Sequence, residues 1–271
     1  MKLAHLPCAR LSPARQGGYS LIELLVAMVL AVFLLAGLFT IFQGTRHTST
    51  EQTELAQLQD EERLAMTILN DVIQQAGYYP NPATNSQTGA LLATTTGSPT
   101  FVAGQGISGI DFSSATPVTD SLVVRYATNP GDGVLNCVGQ SNPPTGTTNF
   151  VYTQTFQVIN GQLTCSINGA AAVNLVPVYS MTVSYGVNTT ATSSDANCPA
   201  DTYIPTASMT ANALFWTNVC SVAIKLTFVN PLYQPPGQAN PTPGQNQYVI
   251  FQRIIGLMGK SGNDVVVTVT S

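Results

Sequence analysis

Gln16-Gly17-Gly18-Tyr19-Ser20-Leu21-Ile22-Glu23-Leu24-Leu25-Val26-Ala27-Met28 opens an apolar run that continues to Phe42. Residues 21–42 read LIELLVAMVLAVFLLAGLFTIF, twenty-two residues whose single charge is Glu23. At helical rise the run is about 33 Å long, enough to cross a hydrocarbon core of about 30 Å. Lys2, Arg10 and Arg15 precede it; Arg46 comes after it, with Glu51 and Glu54 soon beyond. This asymmetry predicts a single-pass protein with its N-terminus in the cytoplasm and its C-terminal bulk outside. A secretory signal peptide fits poorly, because its apolar region spans about 7–15 residues and ends at small residues. The exit here is Gln43-Gly44-Thr45-Arg46. A plain membrane anchor accounts for the run but not for the residues at its head.

Beyond the run, Leu55, Leu58, Ala65, Ile68, Leu69, Val72, Ile73 and Ala76 recur at spacings of three and four. Glu51, Glu54, Asp60, Glu61, Glu62 and Arg63 occupy much of the remainder. The pattern predicts an amphipathic helix continuing from the apolar run, with one stripe packed under the rest of the protein. The acidic cluster at 60–62 reads as a solvated face. Gly77 followed by Tyr78-Tyr79-Pro80 is a stop signal, and no proline interrupts the chain between Tyr19 and Tyr79.

The composition then changes. Twelve of the twenty-two charged residues lie in residues 1–77. Residues 78–271 are instead rich in Thr, Asn, Ser, Gly, Pro and Val, the usage of an extracytoplasmic β-domain with many turns. Strands are expected at 121–126, 149–158, 162–165, 178–185, 219–229, 248–257 and 264–269. In the fifth of these, Val222, Ile224, Leu226 and Phe228 alternate with Ala223, Lys225 and Thr227, as in a half-buried strand. Asn160-Gly161 is a hairpin turn signal. Residues 80–118 give no clear pattern, and 230–244, with five prolines, reads as a loop between strands. The expected architecture is therefore α+β: residues 1–18 as a leader, 19–77 as a long helix spanning a membrane over about 21–42, and 78–271 as an antiparallel β-rich head.

Cys8 lies in the leader, and Cys137, Cys165, Cys198 and Cys220 lie in the head. Four cysteines allow three pairings. The nearest-neighbour choice, Cys137–Cys165 with Cys198–Cys220, closes loops of about 20–30 residues, each contributing roughly 3 kcal/mol. No CxxC or His-rich spacing points to a metal site. With a net charge of −4 and no basic stripe, direct nucleic-acid binding is not expected. Beyond the leader the only histidine is His47. No nucleophile elbow, HExxH or phosphate loop occurs, so no enzyme and no cofactor is expected. Asp132 between Gly131 and Gly133 reads as a turn, and Trp216 as a core residue.

Residues 16–28 resemble the processing and methylation motif of type IV pilins and type II secretion pseudopilins: a basic leader ending in Gly, an aromatic first mature residue, and Glu at the fifth mature position. The resemblance places Gly18 last in the leader, Tyr19 first in the mature chain and Glu23 fifth. It implies cleavage between Gly18 and Tyr19 by a prepilin peptidase, where a glycine without side chain fits closely, and N-methylation of Tyr19. It also implies that Glu23 pairs with the freed α-amine of Tyr19, on its own or a neighbouring subunit. An unpaired carboxylate costs on the order of 3 kcal/mol at mid-membrane and less near the end, so such a pair would fix subunit registry.

Further along, Ser121-Leu122-Val123-Val124-Arg125-Tyr126 with Gly131-Asp132-Gly133, Cys137, Gly161-Gln162-Leu163-Thr164-Cys165, Ser184-Tyr185-Gly186-Val187-Asn188 and Phe215-Trp216-Thr217-Asn218-Val219 resemble, in order, the PilW family of minor pilins. Residues 189–201 depart from that pattern: relatives often carry an acidic Asp-Gly turn there, and this chain has Ser193, Ser194, Asp195 and Cys198, which counts against a calcium-binding role. The resemblance implies a low-abundance subunit that primes type IV pilus assembly with other minor pilins and the major pilin. It would be anchored in the inner membrane with its head in the periplasm, and would sit at the pilus tip once assembled. A type II secretion tip pseudopilin and a pilus-tip adhesin are the alternative expectations.

Overall fold

The computed structural model describes residues 18–190, 198–212, 214–235 and 246–259. The expected strand at 264–269 lies outside them, as do residues 1–17 and much of the proline-rich loop. The chain divides into two compact units between Gln52 and Thr53. The division falls inside one helix, α1 (Leu21–Gln74).

The first unit contains the apolar part of α1. The second contains the rest of α1, whose stripe is buried: Leu58, Ala65, Met66, Leu69, Val72 and Ile73 all enter the core. Met66 joins the positions expected from the periodicity. Leu64, on the opposite side, is 50% exposed. The helix stops where Gly77 takes a left-handed conformation (φ +77°) that glycine adopts without steric cost. The Gly77 N–H donates to the Arg125 carbonyl at 2.9 Å.

β1 (Ile107–Phe112), β2 (Thr119–Thr128), β3 (Phe150–Ile159), β4 (Gln162–Ile167) and β5 (Val173–Pro177) form an antiparallel sheet in chain order. The β3–β4 turn is Asn160-Gly161, both at positive φ, with Ile159 opposite Gln162, as the turn chemistry requires. β6 (Ser180–Val187), β7 (Thr202–Pro205), β8 (Val219–Val229) and β9 (Tyr248–Gly256) form a second antiparallel sheet in the order β7-β6-β8-β9. Val222, Ile224, Leu226 and Phe228 of β8 are buried and Lys225 is exposed, as the alternation predicts, whereas Ala223 on the other face is buried as well. One core takes in the α1 stripe and residues of both sheets, among them Leu122, Val124, Tyr126, Phe156, Val183, Tyr185 and Ile224.

The expected strand at 178–185 is found as β6, shifted by two residues. The chain ends β5 at Pro177 and begins β6 at Ser180. Between them it changes sheet: Val178 N–H donates to Gly161 O and Tyr179 N–H to Thr227 O. β1, β5 and β7 were not expected. β1 contains Gly109, where a Cβ would collide with the Tyr185 hydroxyl, so its strand pattern is broken for a packing reason. β5 and β7 have five and four residues, and each ends in proline.

Candidate functional site

The residues singled out at the head of the chain lie together at the start of α1. Gly18, Tyr19 and Ser20 precede the first helical residue, Leu21. The Ser20 carbonyl accepts from the N–H groups of Glu23 (3.0 Å) and Leu24 (3.2 Å), which sets the first turn. Glu23 is the acidic residue of that turn, where the unpaired amides and the helix dipole favour negative charge. Tyr19 is 84% exposed, and no residue of 18–50 is buried. Gly18 and Tyr19 thus lie just before, and Glu23 within, the first turn of an exposed helix start. In the uncut chain the Tyr19 nitrogen is a peptide amide, so an α-amine exists there only after cleavage.

Below this start, α1 has an eighteen-residue window of mean hydropathy 2.9, none of it buried within the protein, and it is long and apolar enough to cross a membrane. Its threonine hydroxyls are locally satisfied. Thr40 donates its hydroxyl to Gly37 O at 2.8 Å, and Thr45, Thr48 and Thr50 each donate to the carbonyl four residues back. The change to a polar helix is sharp. The Arg46 guanidinium lies over the Phe42 ring, 4.4 Å from its centroid, and His47 Nδ1 lies 3.2 Å from Glu51 Oε1. A long cation folded back on the last aromatic residue is the arrangement expected where an apolar span meets water.

Residues 13–39 match the prokaryotic N-terminal methylation motif. In this motif the chain is type IV prepilin-like, and the apolar helix and the motif together are consistent with membrane anchoring. No curated protein matches the chain by sequence. Among solved structures, a type IV-like pilin from Thermus thermophilus is similar at 15% identity, over 76% of this chain and 97% of that one, with a TM-score of 0.39.

In the head, the four cysteines form two disulfides, Cys137–Cys165 and Cys198–Cys220, the nearest-neighbour choice among the three pairings. Cys137 is also held through Gln154, a wholly buried amide of β3. Its Oε1 accepts from Cys137 N–H, and its Nε2 donates to the Tyr126 hydroxyl at 2.7 Å. That hydroxyl donates to Leu135 O at 3.2 Å, and burial pushes its ionisation upward. The disulfide and this network together hold the 129–149 loop on the first sheet. Asp132 forms the expected turn, accepting from Asn129 N–H (2.8 Å) and Val134 N–H (3.1 Å). Trp216 packs edge-on against Tyr185, 4.8 Å between ring centres, and contacts the main core. Among the described residues there is no group of three or more potential metal ligands.

The strand reading of 121–126 missed what Arg125 does. Its side chain is buried and donates to the carbonyls of Leu92 (2.7 Å), Val102 (3.2 Å) and Gln105 (2.9 and 3.1 Å), with a longer contact to Leu91. Its guanidinium also lies 4.5 Å from the Phe101 ring centroid. Burial lowers its pKa to about 10, so it remains a cation at neutral pH. Arg125 therefore fastens the segment 91–105 across the face of β2 that points away from the main core. No local signal in the sequence marks this role, because the carbonyls come from a segment without strand or long-helix pattern.

Proposed function

We propose that this protein is a minor pilin that helps to prime type IV pilus assembly. A prepilin peptidase cleaves between Gly18 and Tyr19, and Tyr19 is N-methylated. The apolar part of α1 first anchors the subunit in the inner membrane, with the head in the periplasm. It then packs among the helices of other minor pilins and the major pilin. Glu23 pairs with the Tyr19 amine of its own or a neighbouring chain and sets the axial register of insertion, because a misplaced subunit strands a carboxylate in a low-dielectric medium. The observation that carries this reading is the methylation motif at 13–39 placed at the open start of a helix with a fully exposed apolar window. Two disulfides in the head suit an oxidising compartment outside the cytoplasm. The minor-subunit role rests on the ordered resemblance of the head to PilW-type sequences.

The test has two parts. Intact mass and N-terminal sequencing of the membrane-extracted protein, with and without prepilin peptidase, are expected to give a mature chain beginning at methylated Tyr19 only when the peptidase is present. An uncut N-terminus in both cells, or a cut after residue 42, would overturn the pilin pathway. Deletion of the gene is then expected to remove surface pili. Normal piliation with lost adhesion would reject the priming role in favour of a tip adhesin, and lost protein secretion with intact pili would point to a pseudopilin.

A further inference from the structure

Two aspartates face each other where the sheets meet. Asp111 of β1 and Asp120 of β2 are direct cross-strand partners, so both side chains project from the same face of the sheet. Like charges in that position repel. Asp120 is buried, and its Oδ2 accepts the Val183 N–H of β6 at 2.7 Å. Nearby, the Thr119 hydroxyl donates to Met181 O, and the Thr206 hydroxyl donates to Val183 O at 3.0 Å. Asp120 is thus the carboxyl group that bonds the first sheet to the second.

Asp111 is half-exposed, and its two oxygens accept from Ser113 N–H (3.0 Å) and the Ser113 hydroxyl (2.7 Å). No Lys, Arg or His lies on β1, on β6 or in the short helical turn Thr206–Ala211. On β2 the other charge, Arg125, is five residues away and on the opposite face. Tyr185 of β6 is the remaining titratable neighbour. Burial pushes its ionisation upward, and its hydroxyl donates to Ser108 O, so it stays neutral and supplies no positive charge. Neither aspartate forms an ion pair among the described residues, and a shared proton would relieve the repulsion.

We propose that Asp111 and Asp120 form a one-proton carboxyl pair that latches the first sheet to the second, and that the latch loosens as the pH rises. In the closed state Asp120 carries the proton and donates it to the Asp111 carboxylate, while its other oxygen keeps the Val183 N–H. In the open state the proton has passed to solvent past half-exposed Asp111, and two anions face each other across the strands. Desolvation by burial and the neighbouring Asp111 both raise the Asp120 pKa, against the opposing bond from the Val183 N–H. A folded-state pKa above the unfolded value means that the native state holds the extra proton. The associated stability is complete below the ordinary aspartate value, about 3.9, and is lost as pH rises through the folded-state value.

The test tracks the carbon-13 carboxyl shifts of both aspartates against pH in the full chain in detergent micelles. Asp120 is expected to titrate above the ordinary range, and Asp111→Asn, whose amide can donate to ionised Asp120, is expected to bring its midpoint down. The denaturation midpoint of the wild type is expected to fall from about pH 4 upward. Asp120→Asn, whose oxygen can still accept from Val183 N–H, is expected to flatten that dependence. An Asp120 midpoint in the ordinary range, or one that does not move in Asp111→Asn, overturns the proposal even if Asp120→Asn fails to fold.

Discussion

Arg125 has no carboxylate beside it among the described residues, yet it is almost wholly buried. Charge burial of that kind is costly unless every donor is satisfied, and here backbone carbonyls at residues 92, 102 and 105 take the main donors. The guanidinium therefore supplies hydrogen bonds to a segment that has little secondary structure to supply its own. Arg125→Met keeps much of the apolar stem but strands those carbonyls, and each buried unsatisfied group costs about 1–3 kcal/mol. A loss of about 3 kcal/mol is expected in chemical denaturation. In hydrogen exchange the amides of 91–105 should lose protection before those of β3 and β8. Uniform loss across the head would mean that Arg125 is not a local fastening. The sequence placed Arg125 on a strand correctly, but a strand arginine ordinarily points to water. What buries it is a segment twenty to thirty-four residues earlier, which no local pattern could connect to it.

At the scale of elements, legibility tracked length and periodicity. α1, β2, β3, β4, β8 and β9 carry long runs of matched pattern, and their expected positions coincide with the observed ones to within a few residues. β5 and β7 are too short to show a period, and β1 gives up a side chain at Gly109 to admit the Tyr185 hydroxyl. The start of α1 was legible for a different reason, since the methylation motif is read from local residue types rather than from packing. Leu69→Ala removes a fully buried side chain of the α1 stripe and is expected to destabilise the head by about 3 kcal/mol. Leu64→Ala, on the exposed side, should change stability by less than about 0.5 kcal/mol; equal effects in denaturation would contradict the observed stripe. Replacing Cys137 and Cys165 together by serine opens a link across 28 residues and is expected to cost about 3 kcal/mol. The effect should centre on the 129–149 loop, where Gln154 alone would then hold the Cys137 backbone. Proteolysis within that loop under native conditions is the corresponding measurement.

For the molecule as a whole, the division between Gln52 and Thr53 has a thermodynamic meaning. Every residue of the main core, from Leu58 to Leu257, lies in the second unit. Both disulfides and the hydrogen bonds joining the two sheets lie there as well. The first unit contributes no buried side chain among its described residues apart from the half-buried Glu51. Residues 53–271 contain eleven acidic and five basic residues, a net charge of −6, which favours solubility once the apolar run is gone. A chain beginning at Thr53 is therefore expected to fold in water without detergent, to form both disulfides, and to unfold in one cooperative transition. The helical residues 53–57 should fray, because the turn that precedes them is missing. Circular dichroism, thiol counting and thermal denaturation of that fragment check the expectation. Aggregation, free thiols or a non-cooperative transition would mean that the helix N-terminal to Thr53 supports the head through more than its connection, and that the core of the second unit is not self-sufficient.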